Sequence, residues 1–583
     1  MRAGSFLFRK MASPFGVCRL CRSWPSGGVL NSLHKTDRLL SRNLGIDVAV
    51  AQTEGRHDES EEKGGFKDLQ AVQAERQEQA ERSVLISYHS KIREKTFLKF
   101  VSRHGDIKKY FYYESYGIYA LVEFARRESV ASLLEDATIP TVKHECMLPF
   151  KSRLLLLKNL SAVDQASQQP NLPCKPQSTI PISKLLEMLS MEESIDQQMT
   201  SLTQAYQITE ENTCLRYLVC SLLKDIAAAY FPECTIKPFG SSVNGFGKLG
   251  SDLDMFLDLD AISGRKEKQS KSGLSLSYQM KQVKSERTVT QRILSVLGEC
   301  VDQFGPGCVG VQKILHARCP LVRFAHQPSG FHCDLTANNR VAMKTTELLY
   351  LYGELDHRVR CLIFTIRCWA RVHNITSSIP GAWISNFSLT VMVLFFLQKR
   401  NPPIIPALNH LQELAGPADK MVIEGNDCTF VSDSSKIQLQ KNTETLEQLL
   451  FEFFDFYATF AFNKMSVNIR KGTEQNKPEV AALHIQNPFE QSLNVSKNVN
   501  NSQLDRFVTL CQESSWLLHQ SENQKPKSVS KNNTVAPWGL SALLLPTHSA
   551  RSRQQKKSRQ ATTERIGKLL EYLKMNQNQT NDS

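Results

Sequence analysis

The sequence lacks a paired metal-thiolate motif and lacks any apolar run long enough to cross a membrane. Its 15 cysteines are scattered, and the single C-x-x-C, at Cys18 and Cys21, has no second pair to complete a zinc site. Reduced structural thiols in an intracellular compartment are therefore predicted. The most apolar run, 389–397, is far shorter than the roughly 20 residues that span a bilayer, so no membrane insertion is expected.

Acidic residues are almost absent from residues 1–45, where Asp37 is the only one. Arginine, lysine and serine are frequent there, and no sustained apolar segment is present. This composition is typical of a mitochondrial transit peptide and disfavours a secretory signal. A disordered basic arm that binds RNA is the alternative. We predict a transit peptide over 1–45 and a location in the mitochondrial matrix.

The whole chain is basic, with a net charge of +13 and a pI near 9.0. Such an excess favours an anionic partner, nucleic acid before membrane. The alternatives are a merely soluble basic protein, or a charge that the leader inflates. The length of 583 residues predicts several domains, and a hydrophobic content of 41% is enough for substantial cores.

Residues 81–158 carry strand and helix patterns in the order βαββαβ. That order resembles an RNA-recognition-motif domain, whose signature octapeptide would fall on 117–124. Tyr119 and Phe124 fit the signature, but Leu121 removes one expected stacking aromatic. The sheet of this RRM-like domain is expected to face either RNA or a protein, including a second copy of the chain.

The stretch 239–260 has the strongest chemical signal. Asp252 and Asp254 alternate with apolar residues, so a strand would place both carboxylates on one face. Two like charges on one face are costly unless a hard divalent cation lies between them. Just upstream, Gly240, Ser241 and Ser242 form a turn whose backbone N–H groups can bind phosphate. A metal pair beside a phosphate cradle predicts nucleotidyl transfer, although an Asp-x-Asp alone is common in solvated edge strands.

Asp334 is the one acid in the later apolar strand 331–336. Two-metal phosphoryl transfer needs carboxylates that hold both ions a few ångströms apart. Asp252 and Asp254 can bridge the ions, and Asp334 would complete the set that activates the attacking hydroxyl. The alternative is a structural Asp334 that pairs with Arg323 or His332; we favour the metal role because an unpaired Asp in an apolar strand is costly.

These features resemble the DNA polymerase beta-like nucleotidyltransferases, and most of all the family of non-templated poly(A) polymerases and terminal uridylyltransferases. The resemblance rests on Gly240 and Ser241, the three aspartates, 361–371, 385–393 and 486–490, and covers about residues 185–500. It implies an α+β fold: a nucleotidyltransferase palm sheet, helical fingers with a PAP-associated domain, and the N-terminal RRM-like domain.

Composition predicts a linker or a solvated helix over 46–80, a second linker over 159–183 and a basic disordered tail over 521–583. Together with the resemblance, it places the RRM-like domain over 81–158, a helical segment that packs with the fingers over 184–232, the palm over 233–350, and the fingers and PAP-associated domain over 351–520. A single long helix is expected over 348–372.

The resemblance also implies site residues. The nucleotide-binding set would comprise Gly240, Ser241, Ser242, Asn338, Thr346, Arg367, Arg371, Asn386 and Phe387. Arg367 and Arg371, four residues apart on one helix face, would contact the triphosphate, where the family often has lysines. Phe387 would stack on the base beside Asn386, while Asn338 and Thr346 lie where the family contacts ribose.

The activity implied is adenylate addition to RNA 3′ ends, with mitochondrial mRNA as the expected substrate, ATP as the donor, and two Mg²⁺ or Mn²⁺ ions. Leu493 stands where uridylyl-specific relatives have a histidine, which favours adenine. A terminal uridylyltransferase and an inert RNA-binding scaffold are the alternatives. A homodimer through the RRM-like domain is also expected.

Overall fold

The computed structural model describes residues 68–89, 92–138, 152–158, 172–259, 285–337, 339–377, 379, 381–521 and 536–545. The predicted transit peptide, most of the linker over 46–80 and most of the tail over 521–583 lie outside the described residues. The described chain forms a four-stranded sheet, a five-stranded sheet and a large helical domain, which confirms the predicted α+β class. No helix in the described ranges is long and apolar enough to span a membrane.

Residues 69–81 form a helix, α1 (Leu69–Glu81), in the stretch for which the sequence predicts a linker or a solvated helix. Asp68 caps the helix by accepting a hydrogen bond from the Gln70 amide at 3.0 Å. The helix is fixed to the palm because Gln73, which is buried, donates to the Pro238 carbonyl at 3.0 Å. A helix rich in Glu and Gln therefore packs through the three buried positions Leu69, Gln73 and Ala80, which lie on one face.

The first sheet belongs to the RRM-like domain. Its elements are β1 (Ser83–Tyr88), α2 (Glu94–Val101), β2 (Ile107–Glu114), β3 (Ile118–Phe124), α3 (Arg127–Glu135) and β4 (Leu154–Leu156). The strands lie in the order β2-β3-β1-β4, and β4 runs parallel to β1. Val84, Ile86 and Tyr88 alternate onto the face that packs against Phe97 and Val101 of α2. The element order βαββαβ is as predicted.

The helical segment predicted over 184–232 divides between two cores. Helices α4 (Ile182–Ser190) and α5 (Ile195–Tyr206) pack into the helical domain, as predicted. Helix α6 (Glu210–Ala227) instead packs into the palm, because its long apolar face meets the sheet.

The five-stranded sheet is the palm. It consists of β5 (Thr235–Pro238), β6 (Leu253–Asp258), β7 (Cys308–Ile314), β8 (Leu321–His326) and β9 (Phe331–Ala337), in the order β5-β6-β9-β8-β7. Strands β6 and β9 are parallel, and the other neighbours are antiparallel. Helices α6 and α7 (Glu286–Phe304) cover one face, where the apolar residues of the alternating strands are buried. The polar residues of β6 and β9 therefore project from the opposite face.

The second face of the RRM-like sheet packs against the palm of the same chain. Leu85, Phe111 and Leu121 share a core with Leu218 of α6. The Tyr113 hydroxyl, which is fully buried, donates to the Pro328 carbonyl at 2.8 Å. The face that would stack RNA bases in an RRM is thus covered by the palm of the same chain, whereas the sequence predicts only RNA or another protein there.

The helical domain is built from α8 (Arg340–Leu355), α9 (His357–Val372), α10 (Asn386–Gln398), α11 (Leu408–Glu413), α12 (Leu446–Thr459) and α13 (Asn501–Ser521), with the small strand pairs β10 (Val422–Ile423) with β11 (Asn426–Asp427) and β12 (Met465–Ser466) with β13 (Gln475–Asn476). Helix α10 is apolar on all sides and forms the centre of this core. The predicted single helix over 348–372 is two helices, since Asp356 separates them and caps α9 by accepting from the Arg358 amide at 2.8 Å.

Part of the predicted disordered tail is a buried strap. Residues 536–545 include α14 (Gly539–Leu543) and lie against α4 and α5. Trp538 is only 7% exposed and donates to the Ser190 carbonyl at 3.2 Å, while the buried Gln198 accepts from the Leu540 amide at 2.7 Å. A short apolar segment within a polar, basic sequence accounts for the difference from the prediction.

Candidate active site

Two of the predicted carboxylates are direct neighbours across parallel strands. Asp254 on β6 is in register with Asp334 on β9. Asp254 is half-buried, whereas Asp252, just before β6, is exposed. Burial, and after it the charges of Asp334 and Asp252, raise the pKa of Asp254 to about 7. The fold therefore brings all three predicted acids close together. Their carboxylates repel one another, and a bound cation would relieve that repulsion.

Arg323 on β8 faces Asp334 from the other side. Its Nε donates to Asp334 Oδ1 at 2.8 Å and its Nη2 to Oδ2 at 2.7 Å, a bidentate pair. This is one of the two pairings that the sequence left open as an alternative to a metal role. Within the described residues, no group of three His, Cys, Asp or Glu side chains is arranged to hold a metal ion.

The donor chemistry nevertheless fits a divalent cation. Asp252, Asp254 and Asp334 offer hard oxygen ligands on or next to adjacent strands. Burial, and after it the two neighbouring carboxylates, raise the pKa of Asp254, and a nearby cation would oppose that shift. A metal ion at this position would compete with the half-exposed Arg323 for Asp334.

The Gly240 turn lies directly beside Asp254. Gly240 has a φ of +62°, and a Cβ added there would lie 3.5 Å from Asp254 Oδ2. The backbone also ties the two together, since the Phe239 amide donates to the Asp254 carbonyl at 3.0 Å. The Ser241 hydroxyl has no hydrogen-bond partner in the described part of the chain. The turn is thus placed where a phosphate held by Ser241 would adjoin the carboxylates.

Two predicted nucleotide contacts have other partners in the structure. The Gly240 amide donates to Thr346 Oγ1 at 3.0 Å, and that hydroxyl in turn donates to the Ala342 carbonyl at 2.8 Å. Thr346 therefore braces the turn from α8. The Ser242 hydroxyl is buried and accepts from Arg216 at 2.8 Å. Asn338 lies outside the described residues.

Arg216, on α6, is a site residue that the sequence analysis missed. It is 0% exposed. Beyond Ser242, its guanidinium donates to the carbonyls of Ser251 and Asp252 at 2.7 and 2.9 Å, and its Nε donates to Asn212 at 2.8 Å. One side chain thus ties the Gly240 turn to the start of β6. Burial lowers the pKa of Arg216 to about 10 in spite of the opposing influence of Asp254.

The predicted arginine pair on α9 divides by environment. Arg367 is buried enough that its pKa falls to about 10, and its Nη1 donates to the Phe246 carbonyl at 2.7 Å. Arg371, one turn later, is exposed. Lys248, which the sequence analysis also missed, is half-buried; burial and then the charges of Arg371 and Arg367 lower its pKa. Three cations therefore converge on the loop between the Gly240 turn and β6.

The predicted base-stacking pair begins α10. Ser385 caps this helix by accepting from the Ser388 amide at 3.0 Å. Asn386 is exposed, and Phe387 is half-buried with one side packed against the helical core. An aromatic ring that packs against the core and remains partly exposed can stack on a base.

The loop 487–493 is held by its own hydrogen bonds. Asn487 Oδ1 accepts from the amides of Phe489 and Glu490, both at 3.0 Å, and the Asn487 amide donates to the Leu493 carbonyl at 2.9 Å. Glu490 also forms an ion pair with Arg318, from the β7–β8 loop of the palm. The segment that carries Leu493 is thereby connected to the catalytic sheet.

Comparison with known proteins agrees with this architecture. The family described as the central palm domain of mitochondrial-like poly(A) RNA polymerase matches residues 195–354, and the RL domain matches 68–138. The mitochondrial poly(A) RNA polymerase of Homo sapiens is 55% identical over 519 residues, 88% of this chain and 88% of the relative. That of Mus musculus is 53% identical over 552 residues, 93% of this chain and 94% of the relative.

A solved structure described as mtPAP in complex with ATPgammaS has a TM-score of 0.76 and 52% sequence identity, and covers 82% of this chain and 100% of that one. Since relatives above 50% identity align over almost the whole length, this chain belongs to the family of mitochondrial poly(A) RNA polymerases.

Proposed function

We propose that this chain adds adenylates from ATP to RNA 3′ ends in mitochondria. The observation that carries the proposal is the register of Asp254 with Asp334 directly beside the Gly240 turn, in a chain of this family. The composition of residues 1–45 supports the mitochondrial location.

Each side chain has a defined task in this reaction. Ser241 and the exposed Arg371 bind the triphosphate. Arg367 orients the loop between the Gly240 turn and β6 by donating a hydrogen bond to the Phe246 carbonyl. Phe387 stacks on the base, with Asn386 beside it. Asp252, Asp254 and Asp334 would hold two Mg²⁺ or Mn²⁺ ions, which when bound supply activation of the 3′-hydroxyl and charge neutralisation at the α-phosphate.

The base preference is tested by extension of a 5′-labelled oligoadenylate with each of four nucleotides in turn. We expect extension with ATP to exceed that with UTP, because Leu493 cannot hydrogen-bond uracil. Asp334→Ala should abolish extension with every nucleotide. If this variant extends RNA as well as the wild type, the proposed metal role of Asp334 is wrong. A preference for UTP would make the chain a uridylyltransferase, and RNA binding without any extension would make it a scaffold.

We also propose that the chain is a homodimer through its RRM-like domain. Because the palm covers one face of that sheet, the edge of the sheet is the available surface, and it exposes Tyr116 (75%) and Leu156 (66%). Leu156→Asp is expected to convert a two-chain mass in light scattering to a one-chain mass. The matched control is Val480→Asp, since Val480 is equally apolar and fully exposed in the helical domain. An unchanged mass in Leu156→Asp, or a single-chain mass in the wild type, contradicts the proposal.

A further inference from the structure

Lys248 has a fixed backbone and an unpartnered side chain. It pairs with Gln207 in an antiparallel bridge, and the Leu249 amide donates to the Tyr206 carbonyl at 2.9 Å. The loop is therefore fastened to the end of α5. The ammonium group has no hydrogen bond or ion pair with any residue that the structure describes. A lysine whose backbone is held in place and whose ammonium group is unpaired in the described structure is suited to bind an anion.

The surroundings of Lys248 are those of an anion site. The side chain is half-buried and lies within electrostatic reach of Arg367, Arg371 and Asp252. Burying a cation next to two others is unfavourable unless an anion joins them. The ammonium is thus grouped with Arg367 and Arg371 of α9 and with Asp252, and a polyanion bound at the loop would contact several cations at once.

The order of the strands indicates which part of the substrate would lie near Lys248. The Gly240 turn and the Lys248 loop follow β5, at one edge of the order β5-β6-β9-β8-β7, whereas Asp334 lies on β9, on the other side of Asp254. In phosphoryl transfer the attacking and leaving oxygens are in line on opposite sides of the phosphorus. If the hydroxyl enters from the Asp334 side, the leaving group departs toward Lys248.

We infer that Lys248 binds the β- and γ-phosphates of the incoming nucleotide and stabilises the departing pyrophosphate. In the reaction, the RNA 3′-oxygen forms a bond to the α-phosphorus as the bond from that phosphorus to the bridging oxygen breaks. The electron pair goes to pyrophosphate, the hydroxyl proton goes to solvent, and the ammonium donates hydrogen bonds throughout without being consumed. The inference rests on the proposed function above.

The test is pyrophosphate and tripolyphosphate affinity of the full chain with divalent cation present, which requires no RNA. Lys248→Gln is expected to weaken binding of both anions by about 10-fold or more, since a charge-assisted hydrogen bond is lost. Adenosine affinity should change by less than about 2-fold, because the base and ribose contacts remain. In extension assays, kcat should fall more than KM rises, as expected for a contact that strengthens as charge develops on the leaving group.

Two further variants separate binding from folding. Lys248→Arg retains the charge and should recover most of the pyrophosphate affinity, although its planar fork replaces a compact ammonium. Lys313→Gln is the matched control, because Lys313 pairs with Glu299 on the far edge of the same sheet and should leave both affinities unchanged. Unchanged pyrophosphate affinity in Lys248→Gln, or equal loss in Lys248→Arg, would overturn the inference. Failure of the wild type to extend RNA while it binds pyrophosphate through Lys248 would instead refute the proposed function.

Discussion

Asp254→Asn is expected to lower the rate of RNA extension by about 10³-fold or more while making the protein, stripped of metal ions, more stable. The loss of activity follows from the proposed metal role, because an amide would not hold a divalent cation as a carboxylate would. The gain in stability follows because Asp254 is half-buried and faces Asp334 across adjacent strands. Removing its charge relieves both the burial and the repulsion.

The gain in stability of Asp254→Asn over the wild type should increase with pH. The unfolded chain ionises this aspartate near its ordinary pKa of about 3.9, whereas the folded protein retains the proton until about pH 7. Ionisation therefore destabilises the folded protein increasingly between these values, and by a constant amount above them. The melting temperature of Asp254→Asn in EDTA should match the wild type near pH 4, exceed it increasingly up to pH 7, and then keep a constant lead.

Asp258→Asn is the matched control for this prediction. Asp258 lies on the same strand and the same face but pairs with Lys237, at 3.4 Å. Its variant should extend RNA within about 2-fold of the wild type, as is usual for a surface substitution. An Asp254→Asn variant that extends RNA normally, or that melts below the wild type at every pH, would contradict the assignment.

The placement of the Gly240 turn and the aspartates in the fold could be predicted from the sequence for a local reason. Alternation of acids with Leu253 and Met255 fixes both the strand and the side of the sheet on which Asp252 and Asp254 stand. The turn at Gly240 is equally local, since its positive φ needs a residue without a Cβ. Such features depend on residues a few positions apart, so they can be predicted without tertiary structure.

The residues that were missed depend on tertiary contacts instead. Lys248 is one lysine in a polar loop, and only its proximity to α9, more than 100 residues later, makes it part of a cation cluster. The buried strap 536–545 is likewise recognisable only from the helices it covers. Arg216 did leave a signal, because a charged residue between Leu215 and Leu218, on a long apolar helix, requires buried partners.

The effect of Arg216 on both folding and activity should be large. Its five hydrogen bonds use every donor of the guanidinium, and in the described structure all its acceptors are neutral carbonyl, amide or hydroxyl oxygens. Its positive charge is therefore balanced only through space, by Asp254 and Asp252. Arg216→Met should lower the free energy of unfolding by about 3 kcal/mol or more, because several buried acceptors lose their donor together.

Arg216→Lys separates geometry from charge. A lysine can reach one or two of these acceptors but cannot span the Ser242 hydroxyl and the Ser251 carbonyl with a planar fork. We expect it to recover part of the stability in urea unfolding while kcat stays at least about 10-fold below the wild type, because the Gly240 turn and the start of β6 are no longer held at a fixed separation. Full activity in this lysine variant would show that the buried charge suffices. A loss that appears only as lower stability, with normal kcat in the folded fraction, would show that Arg216 serves the fold alone.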